Sequence, residues 1–210
     1  AVMPMTTAQA LLEIARGELG TRESPAGPNQ VKYAAWYGLP GQPWCVMFVM
    51  WVFSQAGAAL PTRTASCTLL MNAAKKAGSW VTSGYLPGDV VIYDWGANGL
   101  PDHCGIVESA SGSAVTAIEG NTAVGNDSDG GEVMRRERQT RQILGAVRPR
   151  YEEERTVDNT PSDAHKEGVA WAVKNGILLG SGGDLMLSQP VTREQLCTML
   201  YRLAQLTQQL

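Results

Sequence analysis

Basic charge and long apolar runs are both scarce in this 210-residue sequence, and each absence excludes a class of protein. Lys and Arg number 17 against 20 Asp and Glu, so no excess of positive charge is present to bind a nucleic-acid backbone. The longest apolar run, residues 44–53, is half of the roughly 20 residues that a membrane-spanning helix needs. The first residues also lack the basic stretch and apolar core of a secretory signal. We therefore expect no nucleic-acid partner, no membrane span and synthesis in the cytoplasm without a signal peptide.

Cysteine occurs at only four positions, and no two of them form a CxxC pair. Such wide spacing in a chain of this length predicts neither a zinc site nor a disulfide framework. Three acidic residues of the GNDSDGGE segment, Asp127, Asp129 and Glu132, have calcium-like spacing, which we attribute to a polar hairpin loop. We expect no metal and no cofactor.

The first part of the sequence predicts helices. Apolar residues recur at helical spacing between Thr6 and Gly20, and further helical segments are expected over residues 31–38 and 66–77. The segment from residue 45 to residue 57 is apolar on every side, which is typical of a helix buried inside a domain. Clusters of Pro and Gly separate these segments.

Short strands are predicted from about residue 86 to residue 150. Runs of β-branched and apolar residues alternate there with Gly, Asn and Asp turns, a pattern that indicates an antiparallel meander. Helices followed by antiparallel strands predict an α+β fold.

A change in composition divides the chain. Residues 151–162 are rich in charge, Pro, Asn and Ser, and we interpret them as a linker between a domain over residues 1–150 and a small, mainly helical domain over residues 163–210. The last helix is expected to begin with a capping box made by Thr192 and Gln195. The part of the chain after residue 150 carries the net charge of -3.

Three residues could form a nucleophile, base and orienting group. Cys45 begins the apolar helix, where the helix dipole favours a thiolate. His103 begins a strand, and Glu119 ends the next one, where a carboxylate could orient an imidazole. The alternatives are that Cys45 is a core residue and that Glu119 is a solvated strand end, and spacing alone does not decide between them.

Four segments resemble one enzyme family. PWCVMFVMWVF, PGDVVIYDW, DHCGIVES and IEGNT occur in the order found in the CHAP family, cysteine, histidine-dependent amidohydrolases/peptidases that cleave amide bonds of bacterial peptidoglycan. The resemblance covers roughly residues 6–150. The segments ESPAGPNQVKYAAWYG and GNDSDGGEVMRRERQ are similar to phage and prophage endolysins of this group. The resemblance to the CHAP family implies a papain-like fold, with a central helix packed on an antiparallel sheet.

The resemblance assigns roles by position. It implies that Cys45 is the nucleophile, His103 the general base and acid, Glu119 the residue that orients the histidine, and Asn121 a polar member beside it. It implies a peptidoglycan hydrolase in which we place endopeptidase ahead of N-acetylmuramoyl-L-alanine amidase. Some relatives bind calcium in an Asp-rich loop before the nucleophile, but Glu23 is the one acidic residue between Gly20 and the nucleophile, so this feature is not carried over.

Three tryptophans and three further cysteines are assigned other roles. Trp36, Trp44 and Trp95 are candidate substrate-binding platforms, with core packing as the alternative. Cys104 should point to the face of its strand opposite His103, into the core. We interpret the remaining cysteines, Cys67, Cys104 and Cys197, as structural.

The C-terminal segment resembles an S-layer homology motif, through NGILLG, a Gly-Asp turn and the TRE that opens the last helix. In that family, tandem copies bind a cell-wall polymer, whereas this chain has one copy, so dimerisation or docking is the alternative. The resemblances together imply an endolysin that reaches the bacterial wall after holin-type release. The rival interpretation is a catalytically silent wall-binding or virion structural protein.

Overall fold

Four helices open the chain, and local capping residues fix their ends. They are α1 (Ala8–Gly17), α2 (Lys32–Tyr37), α3 (Cys45–Ala56) and α4 (Cys67–Ala77). The Thr7 side chain caps α1 by accepting from the Ala10 N–H, and the Ser66 side chain caps α4 by accepting from the Leu69 N–H. The C-termini of α2, α3 and α4 are each followed by a glycine in the left-handed conformation, which glycine adopts without strain: Gly38, Gly57 and Gly78. The four helical segments expected from the sequence are confirmed.

Six antiparallel strands follow the helices and form one sheet. They are β1 (Trp80–Val81), β2 (Val90–Tyr93), β3 (His103–Ser111), β4 (Ala114–Thr122), β5 (Glu132–Gln139) and β6 (Ile143–Val147), in the spatial order β1-β6-β2-β3-β4-β5. Strands β2 to β5 form a meander, and β6 returns to pair with both β1 and β2. The α+β fold class is confirmed.

The sheet has an apolar layer on each face. Cys104, Ile106 and Ile118 lie on the face that packs against α3, which is buried along most of its length. Tyr93 and Val107 belong to a second, smaller cluster on the other face. Alternation along β3 therefore directs Cys104 toward α3, as the sequence predicts, and His103 toward the opposite face.

Gly120 allows β4 to approach α3 closely. A Cβ atom at this position would lie 2.7 Å from both Phe48 Cβ and Trp44 Cζ3. Both of these side chains are fully buried and cannot move aside. The absence of a side chain at Gly120 thus brings the end of β4, where Glu119 lies, next to the beginning of α3.

A second compact unit spans residues 155–210, whereas residues 1–154 form the first. It contains α5 (Lys166–Lys174) and α6 (Arg193–Thr207). The expected capping box is present, since the Thr192 N–H donates to Gln195 Oε1 at 2.8 Å and the Gln195 N–H donates to Thr192 Oγ1 at 3.2 Å. Large apolar side chains on this unit, including Trp171, Leu200 and Tyr201, are exposed.

The computed structural model describes residues 6–24, 28–152, 158–181 and 183–207. Tyr151 and Glu152, at the start of the predicted linker, contact the first unit: the Tyr151 hydroxyl donates to the Gly88 carbonyl, and the Glu152 N–H donates to the Thr6 carbonyl. Residues 153–157 of that linker, and residues 25–27 before α2, lie outside the described residues. Within the described ranges, no helix is long and apolar enough to cross a membrane.

Candidate active site

Cys45 and His103 lie at the adjoining ends of α3 and β3. Cys45 is the first residue of α3, where backbone N–H groups without intrahelical partners and the positive end of the helix dipole favour a negatively charged sulfur. His103 is the first residue of β3 and pairs with Tyr93 on β2. Cys45 is 7% exposed and His103 is fully buried. The two groups interact with each other, and both are largely shielded from water.

Glu119 lies beside His103 on the neighbouring strand. Its Oε2 atom is 3.2 Å from His103 Nε2, and both side chains have no exposed surface. Gly105, two residues after the histidine on β3, leaves room for this carboxylate, because a Cβ atom there would lie 2.7 Å from Glu119 Cγ. The nitrogen Nε2 faces the carboxylate, and Nδ1 is buried without a hydrogen-bond partner among the described residues.

Arg138 pairs with Glu119 from the other side, a contact that the sequence analysis did not predict. Its Nε donates to Glu119 Oε1 at 2.9 Å, and its Nη2 donates to Oε2 at 2.6 Å. Such a two-pronged pair is the strongest geometry that arginine forms with a carboxylate. The contact joins β5 to β4 over 19 residues, so only the pairing of these strands could have revealed it.

Asp127 extends this row of charges. It accepts from Arg138 Nη1 at 2.9 Å and from Arg136 Nη2 at 2.7 Å. Asp127, one of the three acidic residues with calcium-like spacing in the sequence, is thus paired with two guanidinium groups.

The charges of the site support one another. Hydrogen bonds from the Cys104 and Cys67 thiols lower the pKa of Cys45, and the nearby His103 lowers it further against the opposing effect of burial. Burial alone would lower the pKa of His103, but Cys45 and Glu119 together raise it to about 9. Burial would also raise the pKa of Glu119, which Arg138 and His103 keep below its usual value. Each group thus has a neighbour that favours its charged form: His103 for Cys45, Glu119 for His103 and Arg138 for Glu119.

Two further cysteines lie next to the nucleophile candidate. The sulfur atoms of Cys45, Cys67 and Cys104 all lie within 4.8 Å of one another. Cys67 is the first residue of α4, and Cys104 projects from the helix-facing side of β3. Cys104 points into the core, as expected, and its sulfur lies within 4.8 Å of the Cys45 sulfur there. The sequence could not show this for Cys67, because its position depends on how α4 packs.

Asn121 is fully buried at the end of β4 and adopts the left-handed backbone conformation, with φ of 60°. Its side-chain nitrogen donates to the Ser128 carbonyl at 3.2 Å and to Asp129 Oδ1 at 3.4 Å. These contacts hold the loop between β4 and β5. They direct the side-chain nitrogen toward the loop, so a role beside His103 remains a prediction.

The three tryptophans proposed to bind substrate differ in position. Trp95 stacks on Tyr93 at 4.7 Å between ring centroids and lies 6.2 Å from the His103 ring, so it adjoins the site. Trp36 is 40% exposed on α2. Trp44 has no exposed surface, and its Nε1 donates to Glu23 at 2.8 Å, so the expectation that it contacts substrate is corrected. Proximity to Cys45 in the sequence was misleading because the Trp44 indole turns into the core under Gly120.

Residues 36–121 match the model of the CHAP domain family. The matched segment contains Cys45, His103, Glu119 and Asn121. The CHAP domain is a cysteine amidohydrolase/peptidase domain, so the chain is an enzyme of this class. No curated protein sequence matches the chain significantly.

Three solved structures of two proteins align with this chain. The endolysin LysIME-EF1 aligns with 71% of this chain at 15% identity, with a TM-score of 0.46 and 67% of its own chain covered. Ly7917 aligns with 69% of this chain at 20% identity, with a TM-score of 0.41 and 62% of its own chain covered. The structure of Ly7917 with the hydrolyzing product of MDP aligns with 68% of this chain at 19% identity, with a TM-score of 0.41 and 63% of its own chain covered.

Proposed function

We propose that this chain is an endolysin-type peptidoglycan hydrolase in which Cys45, His103 and Glu119 cleave an amide bond of the cell-wall peptide. The observation that carries the proposal is a cysteine at a helix N-terminus beside an imidazole that a buried carboxylate orients, within the segment that matches the CHAP domain. The same three roles define nucleophile, base and orienting group in cysteine and serine hydrolases.

The reaction begins with attack of the Cys45 thiolate on the amide carbonyl carbon. The carbonyl oxygen becomes an oxyanion, and the backbone N–H of Cys45 at the start of α3 is placed to donate to it. The C–N bond breaks as His103 gives its proton to the leaving amine, which produces a thioester on Cys45. Neutral His103 then takes a proton from water, the resulting hydroxide attacks the thioester, and the carboxylic acid and the thiolate are released.

Glu119 and Arg138 keep His103 ready for both proton transfers. The carboxylate fixes the ring orientation and stabilises the imidazolium, which is the form required before the leaving amine departs. Arg138 holds the carboxylate in place and keeps it ionised. Arg138 is therefore a positioning residue, which acts on His103 through Glu119.

Substrate contacts are expected at aromatic side chains near the site. Trp95 is fixed by stacking on Tyr93 and by a hydrogen bond from its Nε1 to Ser128 Oγ at 2.7 Å, which makes it a rigid platform for a sugar or peptide. We include Trp36 because of its exposure. Among the possible bonds, we place a D,L- or cross-bridge endopeptidase ahead of N-acetylmuramoyl-L-alanine amidase.

The second unit is proposed to hold the enzyme at its substrate. Its resemblance to an S-layer homology motif and its exposed apolar side chains support binding to a secondary cell-wall polymer or pairing with a second copy of the chain. The enzyme would act at the wall after holin-type release from the host cytoplasm.

Digestion of purified peptidoglycan tests the proposal. Wild type, Cys45→Ala and the control Cys197→Ser, whose exposed cysteine lies in the second unit, are compared by mass spectrometry of the released products. Shortened stem peptides or opened cross-links indicate an endopeptidase, and free stem peptides without sugar indicate an amidase. If no product from several wall types depends on Cys45, the rival interpretation of a silent wall-binding or virion protein replaces this one.

A further inference from the structure

The proposed reaction uses one thiol, yet the structure brings three together. Cys45 and Cys104 are buried, and Cys67 is partly buried. They come from three different elements, α3, α4 and β3, so local chain geometry does not force them to meet. All of their sulfur atoms lie within 4.8 Å of one another.

The spacing of these sulfurs is close to that of a thiolate metal centre. Zinc–sulfur bonds of about 2.3 Å in tetrahedral geometry place the sulfurs about 3.8 Å apart, so a movement of about 1 Å or less per side chain is sufficient. Zn²⁺ and other d¹⁰ ions favour thiolate ligands, whereas hard cations such as Ca²⁺ favour oxygen. The chemistry of the three donors therefore selects a thiophilic ion.

Two of the three ligands are the first residues of helices. Cys45 is the first residue of α3, which has 12 residues, and Cys67 is the first residue of α4, which has 11. The positive ends of both helix dipoles therefore lie next to neighbouring sulfurs. In the metal-free chain, contact with Cys45 and burial nevertheless raise the pKa of Cys67 and of Cys104, so a bound cation has to displace their protons. A group of thiols packed only as apolar core residues would gain nothing from this arrangement.

We propose that Cys45, Cys67 and Cys104 form a binding site for a thiophilic divalent ion such as Zn²⁺ or Cd²⁺, and that the bound ion inhibits the enzyme. Each cysteine binds as a thiolate, and any proton that a thiol carried is released to solvent. The fourth tetrahedral position is left to water. Because the metal engages the Cys45 sulfur, the nucleophile is withdrawn from the reaction. Cysteine spacing did not predict this site, because at least 22 positions separate each of the three cysteines from the next.

Cadmium binding to the full, reduced chain tests the site without any need for substrate. We expect one equivalent of Cd²⁺ to produce ultraviolet thiolate-to-metal absorbance, and the affinity to fall at least about tenfold in Cys67→Ser and in Cys104→Ala. Cys197→Ser is the matched control and should bind as wild type does. Circular dichroism confirms that each variant is folded, and the partly buried position of Cys67 makes its serine variant the more tolerant of the two.

Inhibition by Zn²⁺ provides a second measurement. Each variant's rate on peptidoglycan is divided by its own metal-free rate, and the Zn²⁺ concentration for half inhibition should rise at least about tenfold in Cys67→Ser and Cys104→Ala but not in Cys197→Ser. A chelator should restore the rate. Unchanged cadmium affinity in both cluster variants, or absence of the absorbance in wild type, would overturn the proposal. Because the absorbance does not require catalysis, cadmium binding in a chain without activity on peptidoglycan would refute the proposed function and leave the metal site standing.

Discussion

Individual side chains at this site are arranged so that each charge is next to an opposite one. His103 favours the thiolate form of Cys45, Glu119 lies 3.2 Å from the imidazole, and Arg138 pairs with the carboxylate. Buried charges are costly unless they are paired, so the removal of any one member leaves its neighbour exposed to the full cost of desolvation. The histidine depends on both neighbours for its proton.

The rate of hydrolysis should fall as the pH rises through about 9, because His103 then loses the proton that it gives to the leaving amine. Because the pKa of Cys45 is lowered, the thiolate should persist at pH values well below the usual range of thiol ionisation, and hydrolysis should continue there. In Glu119→Gln, the fall at high pH should move to lower pH, and the maximal rate should decrease by about 10² to 10⁴.

The measurement is kcat/KM against pH on a soluble muropeptide, with Glu137→Gln on β5 as the control, since that carboxylate is exposed. The apparent values belong to the coupled thiol and imidazole rather than to either alone. A wild-type rate that rises steadily up to a pH of about 8.5, as for a free thiol, would contradict the thiolate–imidazolium pair.

Arg138 should contribute much more to stability than Arg135, although both lie on β5 and pair with a glutamate. Arg138 is buried, so Arg138→Met leaves Glu119 with one partner fewer in the interior and should cost about 3 kcal/mol. Arg135 is half exposed, and Arg135→Met should cost less than about 1 kcal/mol. Urea denaturation of both variants checks this difference, and equal losses would show that the Glu119–Arg138 pair has no special role.

Helices and strands bring these side chains together through close backbone contacts. α3 supplies Cys45, β3 supplies His103 and β4 supplies Glu119. Gly105 gives the Glu119 side chain its space, and Gly120 lets β4 lie against α3. Neither glycine has a positive φ, so the requirement is for space rather than for backbone freedom.

Gly105→Ala should therefore impair catalysis by pushing Glu119 away from His103. The added Cβ would lie 2.7 Å from Glu119 Cγ, and the strand cannot retreat without losing its pairing with β2 and β4. We expect kcat to fall about tenfold or more while the protein stays folded, because misplacement of a catalytic group by about 1 Å is enough to cost such factors. Gly17→Ala, at an exposed position with nothing within 4 Å, is the control. Equal activity of the two variants would contradict this account.

Local signals in the sequence were sufficient for the helices, but not for the contacts between elements. Thr7 and Ser66 cap their helices and Gly57 ends α3, and each of these signals lies within a few adjacent residues. Arg138 and Cys67 reach the site through strand pairing and helix packing, which a single sequence does not encode locally. Trp44 illustrates the opposite error, because a neighbour of the nucleophile in sequence is a core residue in the fold.

The whole chain consists of a unit that contains every proposed catalytic residue and a second unit that contains none. The first unit includes the sheet, both apolar layers and the contacts of Tyr151 and Glu152. The second unit has one buried apolar residue among those described, Ile177, so it adds little core of its own.

A chain shortened to residues 1–152 should hydrolyse a soluble muropeptide at the rate of the full chain. Its rate on intact cell walls should be lower, because the proposed wall-binding unit is missing. Rates on the two substrates, with circular dichroism to verify folding, provide the comparison. Loss of turnover on the soluble substrate, or unfolding of the shortened chain, would contradict the division of roles.

Detection of the acyl-enzyme on Cys45 is the decisive measurement for this account. Peptidoglycan digestion is quenched with acid, and the intact protein and its peptides are weighed by mass spectrometry. We expect a thioester on Cys45 that is absent from Cys45→Ala. A peptide fragment as the acyl group would identify an endopeptidase, and a muramoyl group would identify an amidase. Digestion that proceeds equally in Cys45→Ala, with no mass added to Cys45 in wild type, would contradict the mechanism.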